Sequence, residues 1–255
     1  MAAKQTKKRS SNSIILINDE SPDTYIRDQK KFIKEIIDRD IRVTAKNESQ
    51  TKLIKEILSK EIVICSGRAG TGKTFISLAL ALGLLRSENN NFVKIYLVKS
   101  VTTLKGEEIG YLKGDLKEKI EPFIWSFVLN VEKLMPDKMI KSIIDSDFIR
   151  PFPLAYARGV SIDNSIIIVD ESQNISIENM RTLMTRIGVN SKMIILGDTK
   201  QVDIKNKKNS SLYRLIEMFK DVDDIGVIEM DDENINVRNP IIDIIDKKFN
   251  ELENE

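Results

Sequence analysis

The sequence predicts an α/β domain: a mainly parallel β-sheet with helices on both faces. Short, fully apolar runs recur along it, at Ile62–Cys65, Val93–Val98, Ile166–Val169, Met193–Leu196 and Ile225–Met230. Helix-like stretches alternate with them, at Lys73–Arg86, Ile177–Ile187 and Leu212–Phe219. A strand apolar on both sides belongs in a sheet covered on both faces, and parallel neighbours need such crossovers between them. The first apolar run also feeds a glycine-rich turn that opens an apolar helix.

Taken in order, the chain starts with a polar arm bearing Lys4, Lys7, Lys8 and Arg9, followed by Ile14–Ile17 as a short edge strand. From Thr24 to Arg39, Ile26, Ile33, Ile36 and Ile37 stand among charges at helical spacing, and a second amphipathic stretch runs from Ser49 to Ser59. Residues 1–40 read as an arm and short extension, and residues 41–255 as one domain. Gly106–Asp147 has a mostly helical pattern and reads as an insertion over one end of the sheet.

Composition removes several classes of chemistry. The 255 residues are 41% hydrophobic, enough for a sizeable core. Forty Lys+Arg against 39 Asp+Glu give a net charge of +1, without the strongly basic footprint of a duplex-coating protein. The single cysteine, Cys65, excludes a disulfide scaffold and a Cys-rich zinc site. With no histidine, Ser-His-Asp, Cys-His and HExxH chemistries are excluded. No apolar run approaches the roughly 18 residues of a membrane span, and the basic start lacks the apolar core of a secretory signal. A soluble, cytoplasmic protein is expected.

Gly67-Arg68-Ala69-Gly70-Thr71-Gly72-Lys73-Thr74 fits GxxxxGK[ST] at every fixed position. Glycines let the backbone wrap phosphate, and the following helix points its N–H groups at negative charge. Lys73 is expected to reach the β- and γ-phosphates, Thr74 to offer its hydroxyl to Mg²⁺, and Phe75 to complete the nucleotide-binding set. The apolar run Ile166–Val169 ends in Asp170-Glu171. At the carboxyl end of a parallel strand, Asp170 can hold Mg²⁺ through water and Glu171 can polarise the attacking water. Asp198 and Gln201 follow the next strand, where an amide can sense the γ-phosphate. Asn206-Lys207-Lys208-Asn209 lacks the terminal Asp of a guanine-reading NKxD and follows no apolar strand.

With these words in place, the chain resembles the PhoH-like ATPase family. The resemblance is carried by SGRAGTGKT, EEIGYLKGDLKEKIEPF, PFPLAYARG, IIIVDESQNISIENMRTLMTRIG, SKMIILGDTKQVD and NVRNP, spanning roughly Val43 to Phe249. It implies a RecA-like domain similar to the first motor domain of superfamily-one helicases, with ATP and Mg²⁺ as cofactors. It also implies Gln50 as the reader of adenine and Arg238 as an arginine finger on the γ-phosphate. Arg158 and Arg186 are weaker candidates for nucleic-acid or intersubunit contacts.

The chain departs from the family pattern at Arg68, at Lys99-Ser100, at Val160 and at Asn239. Fewer basic side chains near Lys99 and Val160 weaken the nucleic-acid half of the analogy. Because one motor domain fills this length, strand movement would need neighbouring subunits. The expected partners are therefore further copies in a homo-oligomer, most simply a hexameric ring, and single-stranded RNA or DNA. The alternative reading is a nucleotide-dependent switch or assembly factor that moves no strand.

Overall fold

The computed structural model describes residues 21–99, 127–202 and 210–230, with single positions at 125, 241, 244, 245 and 248. Within them, helix α1 spans Pro22–Ile36 and α2 spans Glu48–Ser59. Strand β1 (Ile62–Gly67) leads into α3 (Lys73–Arg86), and β2 covers Lys94–Lys99. Helix α4 (Asp137–Asp145) precedes β3 (Ile149–Pro151) and β4 (Ser165–Asp170). Then come α5 (Ile177–Met184), β5 (Lys192–Gly197), α6 (Ser211–Phe219) and β6 (Ile225–Met230).

The strands form one sheet in the order β3-β2-β4-β5-β1-β6, and every pairing between these six strands is parallel. One strand, β5, separates β1 from β4. All residues of β4 and β5 are buried, so the apolar runs have no solvent face, as expected of a doubly covered parallel sheet. Alternate residues serve opposite cores. Val63, Cys65, Ile166, Ile168, Ile194 and Leu196 pack with α1 to α4. Ile64, Ile167, Val169, Met193 and Ile195 pack with α5 and α6. Each fully buried Ile or Leu contributes about 1.5–3 kcal/mol, so both cores hold the sheet.

Local capping sets the helix starts. Ser21 caps α1, accepting from Thr24 N, with Pro22 in the first turn where its missing N–H costs nothing. Asn47 Oδ1 accepts from Gln50 N at 2.8 Å and caps α2. The apolar runs all emerge as strands at nearly the expected bounds. The short edge strand β3 was not foreseen: it has three residues, no period and a terminal proline that cannot donate to a ladder. Its partner decides it, with Ile95 opposite Ile149. The candidate strand Ile14–Ile17 and the first part of the insertion lie outside the described residues, while the remainder of the insertion is helical at 127–131 and in α4.

Helix α1 belongs to the same core as α3. Ile33 is fully buried between them, and Ile37 nearly so. Lys30, 5% exposed, donates to Leu84 O, Leu85 O and Ser87 O at 3.3, 2.9 and 2.7 Å and to Asn90 Oδ1 at 2.8 Å. Its ammonium thus caps the C-terminal end of α3, where carbonyls lack partners and the helix dipole is negative. Burial draws its pKa down to about 8. Lys30→Met keeps the stem and takes the ammonium from Leu85 O and Ser87 O, while Leu84 O still accepts from Asn90 Nδ2 at 2.9 Å. It is expected to lower the unfolding free energy by about 2 kcal/mol, measured by urea denaturation. An unchanged midpoint would mean that water replaces the ammonium without loss.

Candidate functional site: a phosphate cradle facing two carboxylates

Register brings the polar strand ends to one edge of the sheet. Ser66 lies opposite Gly197, Val169 opposite Ile195, and Lys99 opposite Asp170. A cleft of about 390 Å³ opens there. Its floor is the loop from β1 into α3, and Ala69, Gly70, Gly72, Lys73, Thr74 and Phe75 all line it. Gly70 and Gly72 have φ of 84° and 88°, left-handed values that a side chain resists. Gly67 is needed for space, because a Cβ there would lie 2.8 Å from Met230 Cβ. Gly67 and Thr71 are buried beneath the cleft surface, and Arg68 is exposed outside its lining.

Lys73 opens α3 and is 9% exposed. Its Nζ donates to Gly67 O, to Arg68 O at 2.9 Å and to Thr71 Oγ1 at 3.3 Å. Burial draws its pKa down, opposed by Cys65 beneath it and by the carboxylates of Asp198, Asp170 and Glu171. Thr74 Oγ1 donates to Asp170 Oδ2 at 3.1 Å. Asp170, 7% exposed, also accepts from Glu171 N at 3.0 Å. Burial and the adjacent Glu171 push its carboxyl above the usual range, partly offset by Lys99 and these two donors. A hydroxyl and a carboxylate oxygen thus meet at one point. Among the described residues no group of three or more His, Cys, Asp or Glu could hold a metal ion. The Thr74 hydroxyl with the single Asp170 carboxylate instead suits Mg²⁺, which takes one or two carboxylates and keeps the rest of its shell for water and phosphate.

Glu171 follows Asp170 in a left-handed conformation, with φ of 52°. Its Oε2 accepts from Gln173 Nε2 at 2.7 Å, and Gln173 Oε1 accepts from Asp198 N at 3.1 Å. Asp198 Oδ1 accepts from Lys200 N at 2.9 Å, forming the turn that carries Gln201 to the cleft. Burial raises the Asp198 pKa. Gln50, 2% exposed, also lines the cleft. Its Nε2 donates to Thr71 O at 2.9 Å and its Oε1 accepts from Lys46 N at 2.7 Å, tying the start of α2 to the cradle. One amide hydrogen and one lone pair of Gln50 remain for other partners.

The structure therefore brings Gln50, Lys73, Thr74, Asp170, Glu171 and Gln201 to one cleft. Arg238 lies outside the described residues. Sequence reasoning missed Lys46, which lies just before α2, and Asn130 and Lys133, which reach the cleft from the insertion. Nothing in their spacing points there. It also missed Gln173, although the DESQN word contains it.

The family model described as PhoH-like protein matches residues 42–250. The chain belongs to the PhoH-like family. It is 31% identical to a PhoH-like protein of Bacillus subtilis (strain 168), over 85% of this chain and 69% of that protein. It is 33% identical to one from Synechocystis, over 83% of this chain and 63% of that protein. With the protein PhoH of Escherichia coli (strain K12) it shares 31% identity, over 75% of this chain and 54% of that protein. This PhoH-like chain thus spans 54% to 69% of the length of these relatives. Among solved structures, the large terminase from a thermophilic bacteriophage overlaps at a TM-score of 0.42 and 8% identity, covering 73% of this chain and 46% of that one. The Pif1 helicase of Candida albicans overlaps at 0.35 and 12% identity, covering 80% and 44%. With the cradle joining β1 to α3 and the carboxylates ending β4, the PhoH-like chain is a P-loop NTPase domain.

The raised pKa of Asp170 has a stability consequence. A carboxyl that binds protons more tightly folded than unfolded opposes folding at neutral pH, and less so as pH falls through its raised value. Asp170→Asn keeps an oxygen to accept from Glu171 N, turns the Thr74 contact round so that the amide donates to the hydroxyl, and removes the buried charge. It is expected to stabilise the nucleotide-free protein at neutral pH by about 1 kcal/mol, measured by thermal denaturation. A lower midpoint would mean that the charge-assisted bonds from Thr74 and Glu171 N–H outweigh burial.

Proposed function

We propose that this chain hydrolyses ATP with Mg²⁺ and couples turnover to single-stranded RNA or DNA. The observation that carries the reading is the meeting of Lys73, Thr74, Asp170 and Glu171 in one cleft. The cradle's N–H groups and the start of α3 receive the phosphates, and Lys73 exchanges its loop carbonyls for β- and γ-phosphate oxygens. Thr74 and Asp170 would hold Mg²⁺, which would supply positive charge against the negative charge developing on the phosphates. Glu171 accepts the proton of the attacking water, and Gln201, at the mouth, follows the γ-phosphate. Gln50 reads the adenine edge with its remaining donor and acceptor.

Two substitutions test the chemistry. Lys73→Ala is expected to abolish nucleotide binding or turnover. Glu171→Gln is expected to retain binding of a fluorescent ATP analogue and to lose roughly 10²–10⁴ in kcat, the scale of a general base. Wild-type turnover by the Glu171→Gln protein would remove Glu171 from the mechanism.

Coupling to a polynucleotide draws on the family resemblance. A homo-oligomer, most simply a hexameric ring, would bring Arg238 of one copy to the γ-phosphate of the next, because head-to-tail contacts close into rings. Single-stranded RNA or DNA is then expected to raise the ATPase rate several-fold, with the effect fading as salt rises because phosphate contacts release counterions. Steady-state ATPase assays across a salt series check this. A flat response to both polymers at low salt would favour a nucleotide-dependent switch that moves no strand.

A further inference from the structure

We propose that Gln173 is a positioning residue for Glu171, holding its carboxylate with one end of the side-chain amide and the main chain after β5 with the other. The inference rests on Glu171 as the group that accepts the proton of the attacking water.

Gln173 sits in the 3-10 turn Ser172–Asn174, directly after Glu171, and is 1% exposed. Its Nε2 donates to Glu171 Oε2 at 2.7 Å and its Oε1 accepts from Asp198 N at 3.1 Å. A Cβ built on Gly197 would lie 2.4 Å from Gln173 Oε1, so the amide occupies room that a glycine leaves at the end of β5. The backbone of the turn is pinned from α6. Ser211 Oγ donates to Ser172 O at 2.9 Å and Ser211 N to Ile175 O at 3.0 Å. With that backbone fixed, the Gln173 side chain joins the Glu171 carboxylate to Asp198. The Asp198 segment in turn carries Gln201, whose N donates to Asp198 O at 3.2 Å.

The chemistry explains why an amide stands here. Glu171 needs a donor and Asp198 N needs an acceptor, and glutamine offers both on one planar, uncharged group. Leucine offers neither, and glutamate offers only acceptors beside another carboxylate. A shift of residues 198–201 as the γ-phosphate arrives or leaves would reach the Glu171 carboxylate through two hydrogen bonds. Gln173 thereby sets when Glu171 is aligned for proton transfer and leaves nucleotide affinity to the cradle.

The test compares Gln173→Leu and Gln173→Glu with the wild type, measuring kcat and KM for Mg-ATP, affinity for a fluorescent ATP analogue and thermal midpoint. Gln173→Glu keeps the size and the acceptor for Asp198 N and removes the donor, so it reports even if the leucine variant fails to fold. Both variants are expected to lose roughly 10–100-fold in kcat, the cost of a misaligned base, with KM and affinity changed by less than about twofold. In a Glu171→Gln background, adding Gln173→Leu is expected to bring no further fall in single-turnover rate, because the two act as one unit. Wild-type turnover in the Gln173 variants, or a loss that multiplies with that of Glu171→Gln, would overturn this inference alone. A wild-type protein without ATP turnover would overturn the hydrolysis reading and this inference with it.

Discussion

Burial of the central strands on both faces constrains everything else in this domain. Strands β4 and β5 have every residue buried, and β1 is buried from Val63 onward. Along such strands a polar side chain would lose its hydration without finding a partner, a cost of several kcal/mol. Polar chemistry is therefore displaced to the strand ends. Parallel pairing places those ends together, Gly67, Asp170 and Gly197 each terminating a neighbouring strand at the same edge. A crossover helix leaves the sheet from that edge, so the N-terminus of α3 arrives beside the carboxylates with its dipole already aimed at them.

Within the cleft, charge is held out of water in both signs. Lys73 is drawn toward neutrality by burial, while Asp170 and Asp198 are drawn the same way from the opposite side. Loop carbonyls, the Thr74 hydroxyl and backbone N–H groups keep the charged forms in place. Under the proposed function, phosphate oxygens would take over from the loop carbonyls at Lys73, and Mg²⁺ would settle between Thr74 and Asp170. Each exchange relieves a buried charge, so the free energy held against folding becomes free energy available for binding.

The link between Glu171 and Asp198 follows from the same crowding at the strand ends. Strand β5 lies between β1 and β4, so its end reaches the site from between the cradle and the carboxylates. Gly197 leaves a gap there, and Gln173 fills it with an amide that bonds to both sides. On the far side of the domain, Lys30 ties α1 to the C-terminal end of α3, so the helix that starts at the cradle is held at both ends.

The apolar runs, the glycine-rich loop with Lys73 and Thr74, and the pair Asp170-Glu171 were legible in the amino-acid sequence, because burial on two faces and phosphate wrapping each impose a local pattern. The strand β3 was not, since its three residues become a strand only by pairing with β2. Gln50 was expected at the base from the resemblance alone, and its bonds to Thr71 O and Lys46 N became visible only once α2 was packed beside the cradle. Asn130 and Lys133 gave no local signal, because only the fold brings the insertion to the cleft, and Gln173, though two residues from Glu171, meets its second partner Asp198 N only at the end of a neighbouring strand. Spacing along the chain records what a residue needs from its own helix, strand or turn. Strand order decides which polar ends meet, and here the insertion of β5 between β1 and β4 made that choice.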